Sequence, residues 1–156
     1  MCYLLALGAA IPDARALDGA IGRSTGMALP RFASLAKEES YVRVGPGSRY
    51  PRQWTYHRRG LPVRIVDEHY AWRQIEDSDG DRGWVHRSQL SGTRTVLVQN
   101  GIQTLYRAPV DEGEGLLRAE ANVIARLEQC DEGWCQVVID GVDGWMPRAV
   151  LWGIDP

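Results

Sequence analysis

The chain has 156 residues, 44% of them hydrophobic and 24% charged, with a formal net charge of −2. That balance excludes a disordered chain and describes a soluble globular one. A single Lys stands against seventeen Arg, a skew that says more about coding bias than about chemistry.

The first segment, Cys2 to Ile11, is an apolar run too short to span a bilayer. Pro12 follows, and then Ala14-Arg15-Ala16 sets small residues at the spacing a signal peptidase reads. Residues 1–16 therefore read as a signal-like leader, and the mature chain as exported to the periplasm without a transmembrane span. No Lys or Arg precedes the apolar run, which leaves two readings: a start inside a longer signal, or no signal at all. The first is preferred, because the second leaves an isolated apolar leader before a polar linker. Residues 17–30, rich in Gly, Ala and Ser, read as that linker, with ordered structure expected from about Phe32.

Residues 31–91 hold short apolar stretches and Gly/Pro turns with almost no helical periodicity, which argues for a small five-stranded β-barrel. Tyr41–Gly47 reads as a short strand, Ser48–Gly60 as a long irregular loop, and Leu61–Val66 as an alternating apolar strand. Trp72–Trp84 then reads as a hairpin. Its Asp77, Asp79 and Asp81 alternate like the first ligands of a calcium loop. Counted from Asp77, however, Arg82 stands where that loop needs Gly, and Ser88 where it needs Glu. Asp79-Gly80 fits a two-residue turn instead, in which both positions need φ > 0. No metal and no cofactor is expected.

Residues 92–156 repeat the pattern. Trp72-x-Gln74-Ile75 matches Trp134-x-Gln136-Val137, Asp79-Gly80 matches Asp140-Gly141, and Gly83-Trp84 matches Gly144-Trp145. Arg87 and Leu90 match Arg148 and Leu151. A repeat about sixty residues apart means tandem domains rather than one core. The second copy keeps the Asp-Gly and loses the counterparts of Asp77 and Asp81, so the hairpin is preserved and the carboxylates are not. Trp72 and Trp84 read as core or barrel-rim residues, since so small a barrel needs large apolar side chains. Residues 31–91 carry eleven basic and eight acidic side chains; residues 92–156 carry five and ten. The modules therefore have opposite charge, which suits either mutual contact or different ligands.

Cleavage after Ala16 would remove Cys2 and leave Cys130 and Cys135, an even count suited to an oxidising compartment. Without a second Cys or His pair, they make a weak zinc signal. Cys130 lies four residues before Trp134 and Cys135 one after it; around Trp72 the same offsets fall on Glu68 and Arg73. One cross-strand position pair thus carries opposite charges in the first barrel and two thiols in the second. A Cys130–Cys135 disulfide and an exposed Glu68–Arg73 ion pair are expected.

Val42–Gly47, Gly60-Leu61-Pro62-Val63, Trp72-Arg73 and Gly83-Trp84-Val85-His86 resemble the bacterial SH3 domain family, in the tandem form found in exported proteins of Gram-negative, particularly alphaproteobacterial, bacteria. The resemblance runs from about Arg31 to Gly153 and is weaker in the second copy, where Tyr106-Arg107-Ala108-Pro109 replaces the opening and Met146-Pro147 follows the Gly-Trp. It implies an all-β chain of two SH3-like barrels and non-catalytic binding in the cell envelope, often of peptidoglycan or a partner protein. A fold alone does not settle a ligand.

No nucleophile set stands out. His57, His69 and His86 are scattered, and neither cysteine has a His in its own module. The chain therefore reads as no enzyme. The most suggestive stretch is Ser48–Gly60, with Arg49, Arg52, Arg58 and Arg59 among Tyr50, Trp54 and Tyr56, and no acidic residue. Aromatic faces stack on sugar or proline rings, and guanidinium groups grip carboxylates two-pronged. The alternative is that the three aromatics stitch the loop onto its own barrel. Three functions follow in order: an envelope module binding peptidoglycan or another anionic component through the first barrel; a periplasmic adaptor for an extended or proline-containing peptide; and, against the second module's charge, a nucleic-acid binder. Oligomeric state is not legible in the sequence.

Overall fold

The computed structural model describes residues 19–155. The leader at residues 1–16 lies outside them. Residues 19–30, expected as linker, instead form a β-hairpin: β1 (Ala20–Ile21) pairs with β2 (Ala28–Leu29), Ala20 opposite Leu29.

The first module contains β3 (Arg31–Leu35), β4 (Ser40–Arg43), β5 (Arg52–Tyr56), β6 (Pro62–His69), β7 (Trp72–Glu76) and β8 (Arg82–His86). A one-turn 3-10 helix, Arg87–Gln89, leads into β9 (Leu90–Ser91). The sheet order is β5-β4-β8-β7-β6-β3-β9. The second module contains β10 (Thr95–Val98), β11 (Gln103–Tyr106), β12 (Gly115–Ala119), β13 (Ile124–Cys130), β14 (Trp134–Ile139) and β15 (Val142–Pro147). A second 3-10 turn, Arg148–Val150, leads into β16 (Leu151–Trp152). Its order, β12-β11-β15-β14-β13-β10-β16, reproduces the first strand for strand. Each module thus has seven strand segments rather than the expected five, because the long loop holds a strand and the chain's exit adds another.

Alternation builds both cores. Val42, Val63, Ile75 and Val85 are fully or almost fully buried in the first; Val98, Leu105, Val137 and Met146 are fully buried in the second. Each such side chain contributes about 1.5–3 kcal/mol over leaving it in water. Trp84 and Trp145 occupy equivalent places: Trp84 lies opposite Arg43 and Gln74, Trp145 opposite Tyr106 and Gln136. All four repeat tryptophans lie half-buried on the outer face, out of phase with the core residues beside them. The glycine before each of Trp84 and Trp145 also has a steric cause. A Cβ on Gly83 would collide with Val42, and one on Gly144 would lie 2.7 Å from Leu105 Cγ.

The two hairpin turns differ. Asp140 (φ 49°) and Gly141 (φ 80°) are both left-handed, as a two-residue turn demands. In the first module only Gly80 (φ 88°) is, and the turn is a wider loop closed from Asp77 to Asp81. Asp77 organises that loop: its Oδ1 accepts from the Asp79 and Asp81 N–H groups, both at 3.0 Å, and its Oδ2 from the Tyr56 hydroxyl at 2.6 Å.

Cys130 faces Cys135 across β13–β14, and Glu68 faces Arg73 across β6–β7, each just past a register shift in its ladder. The cysteines are joined as a disulfide. The acidic–basic pair corrects the expectation of an exposed contact. Glu68 is 1% exposed and Arg73 5%, with Arg73 Nε 3.6 Å from Glu68 Oε1.

Burial of Glu68 explains the N-terminal hairpin. Its carboxylate accepts from the backbone N–H groups of Ser24 and Thr25 (both 3.0 Å), the Thr25 hydroxyl (2.8 Å) and Arg31 Nη2 (2.6 Å). Gly22 lies so close that a Cβ there would come within 2.5 Å of the carboxylate. Small polar residues that look like linker composition are therefore the lining of an anion cradle. Burial alone would raise the Glu68 pKa; the hydrogen bonds from Thr25, Arg31 and the two N–H groups outweigh it and hold it at about 2. Glu76 is buried too. Arg64 and Arg82 flank it from the neighbouring strands, and their hydrogen bonds outweigh burial and hold its carboxyl below the usual range.

The modules are joined by packed and hydrogen-bonded contacts. Leu97 of β10 belongs to the first module's core, and Trp152 meets Phe32 edge-on at 5.1 Å. Thr95 Oγ1 donates to the Gly60 carbonyl at 2.6 Å, and Arg58 Nη2 to the Asn122 carbonyl at 2.7 Å.

Because the folded Glu68 pKa is depressed, its stabilisation is complete above the unfolded value near 4.5 and is lost as pH falls toward 2. Glu68→Gln should lower stability by roughly 3 kcal/mol, measured by urea unfolding, and flatten the pH dependence over that window. The variant should also be cut by trypsin after Arg23 well before the native chain, as mass spectrometry of early fragments would show. Reduction of Cys130–Cys135 opens only a short loop, so it should cost about 2 kcal/mol in the same unfolding assay.

Candidate functional site

The stretch read as a loop holds the edge strand β5 at its centre. Among the described residues it pairs with β4 alone, Tyr56 opposite Ser40, Thr55 opposite Tyr41 and Trp54 opposite Val42, and a register shift precedes Arg52 opposite Arg43. Within β5 that shift puts Arg52 on the outer face with Arg43, while Trp54 and Tyr56 face inward beside the buried Val42 and Ser40. The seven candidates do not converge on one point.

Trp54 and Tyr56 turn toward the protein. Both are half-buried against the first core and meet edge-on with ring centres 6.0 Å apart. The Tyr56 hydroxyl is committed to Asp77, and burial, then that hydrogen bond and the Asp77 charge, push its pKa well above the ordinary tyrosine value. Arg58 is committed to the second module through Asn122. Arg59 is exposed and borders a cavity of about 200 Å³ between the modules, with Ser34, Gly60 and Thr95. For Trp54 and Tyr56 this is the alternative the sequence left open; for Arg58 and Arg59 nothing in the sequence signalled these surroundings.

Arg49, Tyr50 and Arg52 face solvent. Tyr50, 46% exposed, lies over Gly45, where a Cβ would come 2.5 Å from its ring. Arg43 Nη1 donates to the Tyr50 carbonyl at 2.6 Å and holds the turn. The Arg52 guanidinium lies 3.7 Å from the centre of the Tyr41 ring, close enough for a cation–π contact. Tyr41 and Arg43 are the residues that sequence reasoning missed. Their signal was present, since they alternate with the buried Ser40 and Val42 and so share an outer face. The surface therefore offers two aromatic faces, three guanidinium groups in or beside it and one local acid, Glu39, which accepts from the Tyr41 hydroxyl at 3.1 Å.

Cys130 and Cys135 are spent in the disulfide, so neither is available as a thiolate nucleophile. A disulfide also fits an extracytoplasmic protein. Among the described residues no helix is long and apolar enough to cross a membrane.

Two all-β units of identical strand order, each closing on a 3-10 turn and a short strand, define a tandem SH3-like protein. A family model described as "Bacterial SH3 domain" matches residues 36–92 and again 99–153, and the chain belongs to that family. Such domains are generally binding modules. Among solved structures, NlpC2 from Trichomonas vaginalis is 12% identical over 81% of this chain and 51% of its own, with a TM-score of 0.35. NlpC1 from the same organism gives 13%, 84%, 48% and 0.36, and an NlpC/P60 family protein from Bacillus cereus ATCC 10987 gives 15%, 78%, 55% and 0.35. The chain spans about half the length of these solved chains. Among curated proteins, none matches the sequence.

If Trp54 and Tyr56 are structural, their variants should lose stability without losing a ligand. Tyr56→Phe should cost about 1–2 kcal/mol, because it leaves Asp77 short of a partner, and Trp54→Ala about 3–5 kcal/mol. Since the folded Tyr56 pKa is raised, native stability should fall above pH 10, and Tyr56→Phe should reduce that fall. Thermal unfolding between pH 7 and 11 measures both.

Proposed function

We propose that this chain is an exported binding module of the cell envelope, and that it holds peptidoglycan or another anionic envelope component through the outer face of β4 and β5. The observation that carries the reading is the Tyr41–Arg52 stack, at 3.7 Å, beside the exposed Arg49 and Tyr50. A guanidinium already laid over an aromatic ring is pre-organised: it keeps its outward N–H groups for a carboxylate while the neighbouring ring offers a face to a sugar. Peptidoglycan presents carboxylates on its peptide stems and flat sugar faces on its strands, so one face serves both. The disulfide supports an oxidising compartment, and the residues 1–16 leader supports export. Arg58, Trp54 and Tyr56 drop out of the proposed contact set. Arg59, at the cavity between the modules, drops out with them.

Retention on purified sacculi tests this. Arg49→Glu with Arg52→Glu should cut retention about tenfold or more, and raising salt from 50 to 500 mM should weaken the native chain in the same direction. Tyr50→Ala should weaken it at every salt concentration. Unchanged retention in folded variants would remove the function from this face.

A further inference from the structure

A second surface lies where three parts of the chain meet, separate from the β4–β5 face. A groove of about 750 Å³ runs between the N-terminal hairpin, β3, β9 and the C-terminal residues after β16. Its apolar lining comes from Met27, Pro30, Phe32, Ile65 and Leu90. Arg31, Arg73, Arg87 and Arg94 also line it. Four guanidinium groups face two carboxylates. Glu68 lies behind and takes Arg31 and Arg73, and Asp155 takes Arg94 at 2.6 Å. Arg87 is left over. It is exposed, and among the described residues its guanidinium has no hydrogen-bond or ion-pair partner.

Backbone geometry adds a second demand. β9 pairs with β3 on one side and ends the sheet on the other, so among the described residues its outer edge carries no strand. Ser91 and Gly92 lie along the groove, and at Gly92 no atom would meet a Cβ within 4 Å. An apolar trough with surplus positive charge beside a free strand edge matches an extended peptide, whose alternate side chains point down and up.

We infer that this groove is a docking site for an acidic, extended peptide segment of a partner protein, with apolar residues alternating with Asp or Glu. The peptide adds its backbone beside β9, seats its apolar side chains on Met27, Phe32 and Leu90, and presents a carboxylate to Arg87. The site is composite. Glu68 fixes the hairpin wall by its hydrogen bonds, and Arg94, bonded to the Gly153 carbonyl at 2.9 Å and to Asp155, fixes the wall from the second module. Neither module alone would form it, which gives the docking of hairpin and modules a functional consequence. The inference stands apart from the β4–β5 reading, since the two sites share no residue.

A phage-displayed octapeptide library selected on the full chain provides the probe, and enriched peptides are then measured by fluorescence anisotropy. Enriched sequences should alternate apolar and acidic residues. Arg87→Glu and Ala28→Trp, both at exposed positions on the groove, should each weaken binding at least tenfold while circular dichroism and thermal unfolding stay native. Arg49→Glu with Tyr50→Ala should leave the affinity unchanged. Replacing the peptide's acids by Lys should abolish binding. Peptides without acidic residues, binding indifferent to both groove variants, or binding lost with Arg49 and Tyr50 would each overturn the inference. No enriched peptide, with phosphatidylglycerol vesicles bound in an Arg87-dependent way, would assign the groove to a lipid surface and overturn it as well.

Discussion

A carboxylate buried to 1% exposure is costly unless every lone pair is occupied, and Glu68 recruits its partners from three separate places. Ser24 and Thr25 come from the N-terminal hairpin, Arg31 from the start of β3, and Arg73 from the strand opposite. None of these segments would hold this position alone. The hairpin has two-residue strands and little apolar surface, too little for independent stability. Satisfying one anion therefore orders about a dozen residues, and those residues form a wall that the first sheet itself does not supply.

The equivalent position in the second module is solved by different chemistry. There the cross-strand pair is Cys130 and Cys135, closed covalently, with Asp131 accepting from the Gly133 and Trp134 N–H groups at the turn. A disulfide needs no outside partners, and among the described residues no additional hairpin docks on that end of the second sheet. The two copies of one fold thus differ where one recruits chain from outside and the other closes on itself. Small β-modules bury a limited fraction of their surface, and both devices add stability where hydrophobic burial is scarce.

Contact between the modules follows the same economy. Leu97 sits in the first module's core, Trp152 meets Phe32, and Thr95 satisfies the Gly60 carbonyl. The contacts between the modules are apolar packing, hydrogen bonds to backbone carbonyls and the Arg94 guanidinium over the Phe32 ring, rather than ion pairs among the described residues. That leaves the basic face around Arg49 and Arg52 on the outside of the first module, where a ligand has access.

What the sequence determined by itself was mostly local or periodic. Alternation placed most of the strands, Asp140-Gly141 marked a two-residue turn, and the repeat implied two copies of one topology; β5, read as loop, and the wider turn at Asp79-Gly80 were not legible. The offsets from Trp72 and Trp134 even paired Glu68 with Arg73 and Cys130 with Cys135, because register in a β-ladder is a matter of counting. Burial is another matter, and only the tertiary structure decided it. Glu68 looked exposed because nothing in its neighbourhood reveals that residues 22–25, more than forty positions earlier, will cover it. The same limit applied to the binding stretch. Seven residues between Arg49 and Arg59 read as one surface, yet an edge strand turns Trp54 and Tyr56 inward, Arg58 reaches Asn122 of the other module, and Tyr41 and Arg43 enter from the paired strand. Composition records which groups are present; pairing and long-range packing decide which of them meet water.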